Sequence, residues 1–162
     1  MKRSVGIAAF LLLVAATAPA QSLFDLPPGV ETRWYSFENP SGRRGEGGQS
    51  QEGRKGAASK MIRAGETVVL ADVTGPGVVR RIWLTVPGRV DTLRGWVVRV
   101  YWDGQDWPSV EAPLQDFFGL PFARQVPFES ALFSNPEGRS FNTVVPMPFR
   151  QRARLTVTNE SP

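Results

Sequence analysis

Between residues 67 and 159 the sequence repeats one pattern: a short run of β-branched and aromatic residues, then a cluster of Gly, Pro, Asp or Asn. This alternation constrains the fold more than any other feature, because turns recur too quickly for long helices or crossovers. Thr67–Val73 is the first strong strand, and Gly75-Pro76-Gly77 turns the chain. Val78–Val86 follows, with Arg81, Trp83 and Thr85 on one face and Ile82, Leu84 and Val86 on the other. Leu93–Trp102 leads into Asp103-Gly104, a hairpin turn of residues that tolerate positive φ. Ser109–Leu114 contains Pro113, which suits an edge or a bend. Ser140–Val145 and Arg152–Asn159 complete the set, and Trp34–Phe37 can form an additional first strand. In the last strand Ala153, Leu155 and Val157 alternate with Arg152, Arg154, Thr156 and Thr158, the signature of a half-buried strand. No amphipathic helix of useful length interrupts them. The expectation is an all-β protein, a jelly roll or β-sandwich. Strand character runs to Asn159 without the return strands such a fold needs, which predicts a domain incomplete at its C-terminus.

The residues before this pattern read differently. Lys2 and Arg3 precede an apolar run, Val5–Ala16, and Ala18-Pro19-Ala20 offers small residues for a signal peptidase. The run is short for a bilayer span, so residues 1–20 read as a signal peptide cleaved after Ala20. The mature chain is then exported, periplasmic or extracellular, with no membrane attachment. Residues 21–64 form an N-terminal extension, and residues 65–162 the first, truncated jelly-roll domain. Within the extension, Glu38–Gly56 is a long glycine-rich loop, a type usually functional or disordered. Gly48 and Gly53 have phosphate-loop spacing, but Arg54-Lys55 stands where Lys-Ser/Thr is required and no helix pattern follows.

Composition excludes much chemistry. The chain has no cysteine and no histidine, so disulfides, thiolate metal sites, imidazole bases and Ser-His-Asp triads cannot be built from it. Neither a metal nor a cofactor is expected. The formal charge of +4 includes Lys2 and Arg3, so signal cleavage removes half of it. Arginines alternate with acids within strands, which argues against a nucleic-acid partner.

Several polar groups are candidates for chemistry. Asp103 and Asp106 flank a turn between Trp102 and Trp107, where they serve turn geometry or a cation or sugar loop. Two acids are too few for a calcium cage. Glu111 and Asp116 stand in the most apolar surroundings. An extended chain would place them roughly 16 Å apart on opposite faces, too far for a glycosidase pair. Ser134–Asn142 is a polar turn entering a strand, where Arg139 either contacts a sugar or pairs with Glu137 or Glu129. Trp34, Trp83, Trp96, Trp102 and Trp107 suit sugar stacking, although most should be core. The sugar-contact candidates are Asp116, Arg139, Asn142 and Trp102. No residue is a catalytic candidate.

The same segments carry a resemblance. Trp34–Pro40, Gly75–Thr85, Tyr101–Gly104, Pro108–Gly119, Phe128–Asn142 and Pro146–Phe149, in that order, resemble glycoside hydrolase family 172 from about Thr32 to Pro162. The resemblance implies two jelly-roll domains and assembly into homotrimers or larger homo-oligomers. It also implies cleavage or rearrangement of fructofuranosides and D-arabinofuranosides by a retaining mechanism with two glutamates. Those glutamates lie further along than this sequence reaches, so none is assigned here. The expected role is scaffold, subunit contact and sugar contact within a furanoside-active protein; the alternative is a non-catalytic carbohydrate-binding or assembly module.

Overall fold

The computed structural model describes residues 27–54, 56–86, 94–120, 122 and 124–162. The expected signal peptide, residues 1–20, and the Leu93 start of the fourth strand lie outside the described residues. Residues 27–30 form a turn closed by Val30 N–H donating to Pro27 O at 3.1 Å. Arg33–Pro162 is the unit that contains the sheets.

Among the described residues ten strands run in chain order: β1 (Thr67–Thr74), β2 (Gly77–Val79), β3 (Ile82–Thr85), β4 (Trp96–Trp102), β5 (Val110–Pro113), β6 (Phe128–Glu129), β7 (Phe133–Asn135), β8 (Ser140–Thr143), β9 (Met147–Phe149) and β10 (Arg152–Asn159). One helical turn, α1 (Leu114–Phe117), follows β5. Sheet I has the order β1-β10-β4-β5 and sheet II the order β3-β8-β7-β6; β2 and β9 pair between them. All pairs are antiparallel. The protein is therefore the expected all-β sandwich.

One long ribbon joins the two sheets. Residues 67–85 run against 140–158, pairing Thr67 with Thr158, Gly77 with Phe149 and Thr85 with Ser140. Two interruptions bend it. The first is at Gly75, whose φ of 95° suits only glycine and whose N–H donates to Gln151 O at 2.7 Å. The second is at Arg80-Arg81, so the single strand expected over Val78–Val86 is two strands in different sheets. Alternation persists on either side of the break, which is why the sequence pattern did not reveal it. The wrap of this outer ribbon is jelly-roll-like, whereas β4–β5 and β6–β7 close as hairpins within one sheet.

The ladder explains which residues face inward. In β1 the register shifts between Val69 and Ala71. This bulge leaves Leu70 as the extra residue, so Val68, Ala71 and Val73 all face the core side while Asp72 turns outward. Val98, Val100, Ala153, Leu155 and Val157 of sheet I meet Phe141 of sheet II and Leu114, Phe118 and Leu120 around α1 in one buried cluster. Phe118 contacts Phe141 with centroids 5.6 Å apart. At about 25 cal/mol per Å², each such buried ring contributes on the order of 2–3 kcal/mol. Gly77 is small of necessity: a Cβ there would lie 2.7 Å from the Phe149 ring.

Other expectations are corrected. Trp34–Phe37 is not a strand; Ser36 and Asn39 form an isolated bridge closing a tight turn, with backbone bonds of 3.2 and 3.0 Å. Asn39 fixes that turn by donating its amide to Arg43 O at 3.0 Å. The strand expected through Leu114 ends at Pro113, and Gln115 O accepts the Phe118 and Leu120 N–H groups of the following turn. Pro113 does lie on an edge strand, as expected. The glycine-rich loop is folded on itself: Glu38 Oε1 accepts the Ala57 N–H at 3.3 Å, and Tyr35 packs on Gly42.

Candidate functional site

The outer face of sheet I is a lattice of paired charges. Arg152 grips Asp72 with two donors, Nε to Oδ1 at 2.7 Å and Nη2 to Oδ2 at 2.6 Å. The Arg154 guanidinium lies 5.7 Å from the centre of the Tyr101 ring. Arg99 donates to Glu111 at 2.8 Å, to Thr158 at 3.2 Å and to Glu160 at 2.6 Å. Glu111 and Glu160 thus share one guanidinium, which holds the Arg99 pKa above its ordinary value through these hydrogen bonds. The bidentate Arg152 bond holds the Asp72 carboxyl below the usual carboxylate range. Each of these carboxylates accepts hydrogen bonds from an arginine.

Asp103 has a structural job. Its φ is 53° and that of Gly104 is 80°, the two positive values of the hairpin turn expected there. Its Oδ1 accepts the N–H groups of Gln151 at 2.7 Å, Arg150 at 2.9 Å and Arg152 at 3.2 Å. These backbone bonds, that of Gln151 foremost, hold its carboxyl below the usual range. The β4–β5 turn is thereby tied to the corner between β9 and β10. Asp106, across the same turn, is exposed.

The four sugar-contact candidates fall in four settings. Trp102 faces inward and stacks on Phe149 at 6.4 Å with planes 13° apart. Asp116, in α1, pairs with Arg94 at 2.9 Å. Beside α1, Gly119, Leu120, Arg124, Val126 and Phe128 line a depression of about 340 Å³; Asp116 does not line it. Arg139 is exposed and lies 3.7 Å from Glu137, one of the two acids given from sequence as alternatives to a sugar contact. Asn142 is the candidate that the fold surrounds with suitable partners. It lies on the outer face of β8, opposite Trp83 of β3 and Ser134 of β7.

Around Asn142 the outer face of sheet II is open and chemically mixed. Trp83 is 51 % exposed, yet its indole is fixed, because Nε1 donates to Ser140 Oγ at 3.1 Å. Arg81 Nη2 donates to Asn142 Oδ1 at 3.1 Å, and Asn142 Nδ2 donates to Ser140 O at 3.0 Å. Register extends the row from Trp83 through Asn142 and Ser134 to Glu129 at the far edge. Sequence reasoning passed over Arg81 and treated Trp83 as one tryptophan among five. The signal available was the alternation that put Arg81, Trp83 and Thr85 on one face of β3. Among the described residues no group of three or more acids is arranged to hold a metal ion.

Residues 32–162 match the family described as the GH172 first β-sandwich domain. No curated protein matches the chain. The match covers both sheets and both outer faces, and it agrees with the segments that carried the resemblance. The chain belongs to glycoside hydrolase family 172, and its sandwich is the first β-sandwich domain of that family.

Proposed function

We propose that this chain is part of a glycoside hydrolase acting on furanosides, fructofuranosides or D-arabinofuranosides. In this reading the sandwich supplies scaffold, subunit contacts and sugar contacts, not the catalytic pair. The observation that carries the reading is the family match over residues 32–162. The pairing of these acids with arginines supports the division of labour. A retaining mechanism needs two carboxyl groups about 5 Å apart, one of them protonated. Here Glu111 and Glu160 are bound to one arginine, Asp116 to another, and Asp72 to a third. The reading includes export after cleavage at Ala20 and assembly into a homotrimer or larger homo-oligomer, both taken from the sequence pattern and the resemblance.

The test is release of p-nitrophenol from α-D-fructofuranoside and α-D-arabinofuranoside substrates, comparing this chain with a longer form that continues past Pro162. Turnover is expected from the longer form only. Turnover by this chain alone, abolished by Glu111→Gln or Asp116→Asn, would put the active site in the sandwich and overturn the division proposed. A longer form inert on every furanoside would overturn the substrate class.

A further inference from the structure

We infer that the outer face of sheet II is a sugar-binding strip for a furanosyl chain, separate from any catalytic pair, with Trp83 as its stacking platform and Arg81 and Asn142 as its hydrogen-bonding groups. The inference rests on the furanoside reading for its ligand class and on geometry for its place.

Trp83, a large apolar ring left 51 % exposed on a sheet face, forgoes much of its burial energy. It is also not free to turn, because its Nε1 is bonded to Ser140 Oγ. Ser140 in turn is only 9 % exposed beside it. A fixed, exposed indole face suits the C–H face of a sugar ring and loses little side-chain entropy on binding.

The flanking groups provide the polar half of such a site. A guanidinium carries five N–H donors in a planar fork, and Arg81 uses one on Asn142. Asn142 keeps a second amide N–H beyond the one given to Ser140 O. These donors stand at the edge of the platform, where ring hydroxyls of a stacked sugar would fall. Ser134 and Glu129 continue the row with a hydroxyl and a carboxylate. Three interstrand steps give the row a length of about 14 Å, room for a short oligosaccharide. On sheet I the corresponding face has its arginines committed to acids or to a ring, so it offers no such surface.

The experiment is calorimetric titration of the whole chain with short fructofuranosyl and D-arabinofuranosyl oligosaccharides, with a pyranosyl oligosaccharide as comparison. Saturable binding of a furanosyl chain is expected. Trp83→Ala should weaken it by at least about tenfold, with Trp83→Phe retaining part of the affinity. Arg81→Ala should weaken it several-fold. Circular dichroism checks that each variant is folded. Ser134→Tyr, which crowds the row beside Asn142 and not at Trp83, is the second variant and should also weaken binding. Unchanged affinity in folded Trp83→Ala or Ser134→Tyr would overturn the inference, as would the absence of binding by the unaltered chain. Sedimentation velocity separates the remaining outcome: if Trp83→Ala dissociates an oligomer and leaves sugar affinity unchanged, the strip is an interface between copies and the inference fails. Furanoside hydrolysis by the longer form without binding here sinks this inference alone. Binding here without hydrolysis sinks the proposed function alone.

Discussion

The two outer faces of the sandwich are built from similar residue types and end up with opposite character. On sheet I, Arg99, Arg152 and Arg154 each meet an acid or a ring directly or diagonally across the ladder. On sheet II, Arg81 meets an amide, and the aromatic beside it remains exposed. The difference is one of register, not composition. Where a carboxylate lands one strand away from a guanidinium, the pair satisfies itself and the surface is closed to ligands. Where an amide lands there, donors remain for something else.

The largest expected effect tests what the open face stands on. Phe141 lies in β8 between Ser140 and Asn142, is 0 % exposed and packs on Phe118. Phe141→Ala should cost about 3–5 kcal/mol through lost burial and the cavity left behind. Urea denaturation measures it, and a loss below about 1 kcal/mol would mean that the two sheets do not share this core.

Acid is the next lever, and it acts at the end of sheet I. The folded-state pKa of Asp103 is depressed by backbone donors, and that of Asp72 by Arg152. Groups depressed in the folded state stabilise it above their unfolded pKa of about 4, and that contribution is lost as pH falls through this value and below. The thermal midpoint should therefore drop between pH 5 and pH 3, and Asp103→Asn should flatten the dependence. An Asp103→Asn protein as acid-sensitive as the original would remove Asp103 from the account.

The smallest effect belongs to the closed face itself. Asp72 and Arg152 are both partly solvated, with side chains 34 % and 46 % exposed. Asp72→Asn should cost at most about 1 kcal/mol, with the difference shrinking in high salt. A salt-independent loss larger than that would show the charge lattice to be a true part of the fold's stability.

The strands legible in the sequence were those whose own residues carry the signal. Arg152–Asn159 shows a buried and a solvated side by alternation, Thr67–Val73 and the run ending at Trp102 are rich in Val and aromatic residues between turns, and the structure places strands in all three. β6, β7 and β9 were not legible, because Phe128–Glu129, Phe133–Asn135 and Met147–Phe149 are only two or three residues long, and the last two hold Ser, Asn or Pro. Their strand state comes from neighbours. The candidate site divides in the same way. That Trp83 and Arg81 share a face follows from alternation within β3. That Asn142 stands opposite Trp83 is a matter of pairing between distant segments, which one strand's pattern does not encode. That Trp102 stacks on Phe149 is likewise a matter of pairing between distant segments.

The bent ribbon also sets a timetable. Thr67 and Thr158, whose hydroxyls meet at 2.8 Å, are 91 positions apart, while the β4–β5 and β6–β7 hairpins close locally. Local pairs form before distant ones, so β1 acquires its neighbour last. A ribosome adding about 5–20 residues per second needs several seconds or more to deliver β10 after β1 has emerged. Through that interval a Val-rich strand waits with both edges open. The nascent chain has its greatest need of a chaperone then, before β10 arrives to fill the gap between β1 and β4.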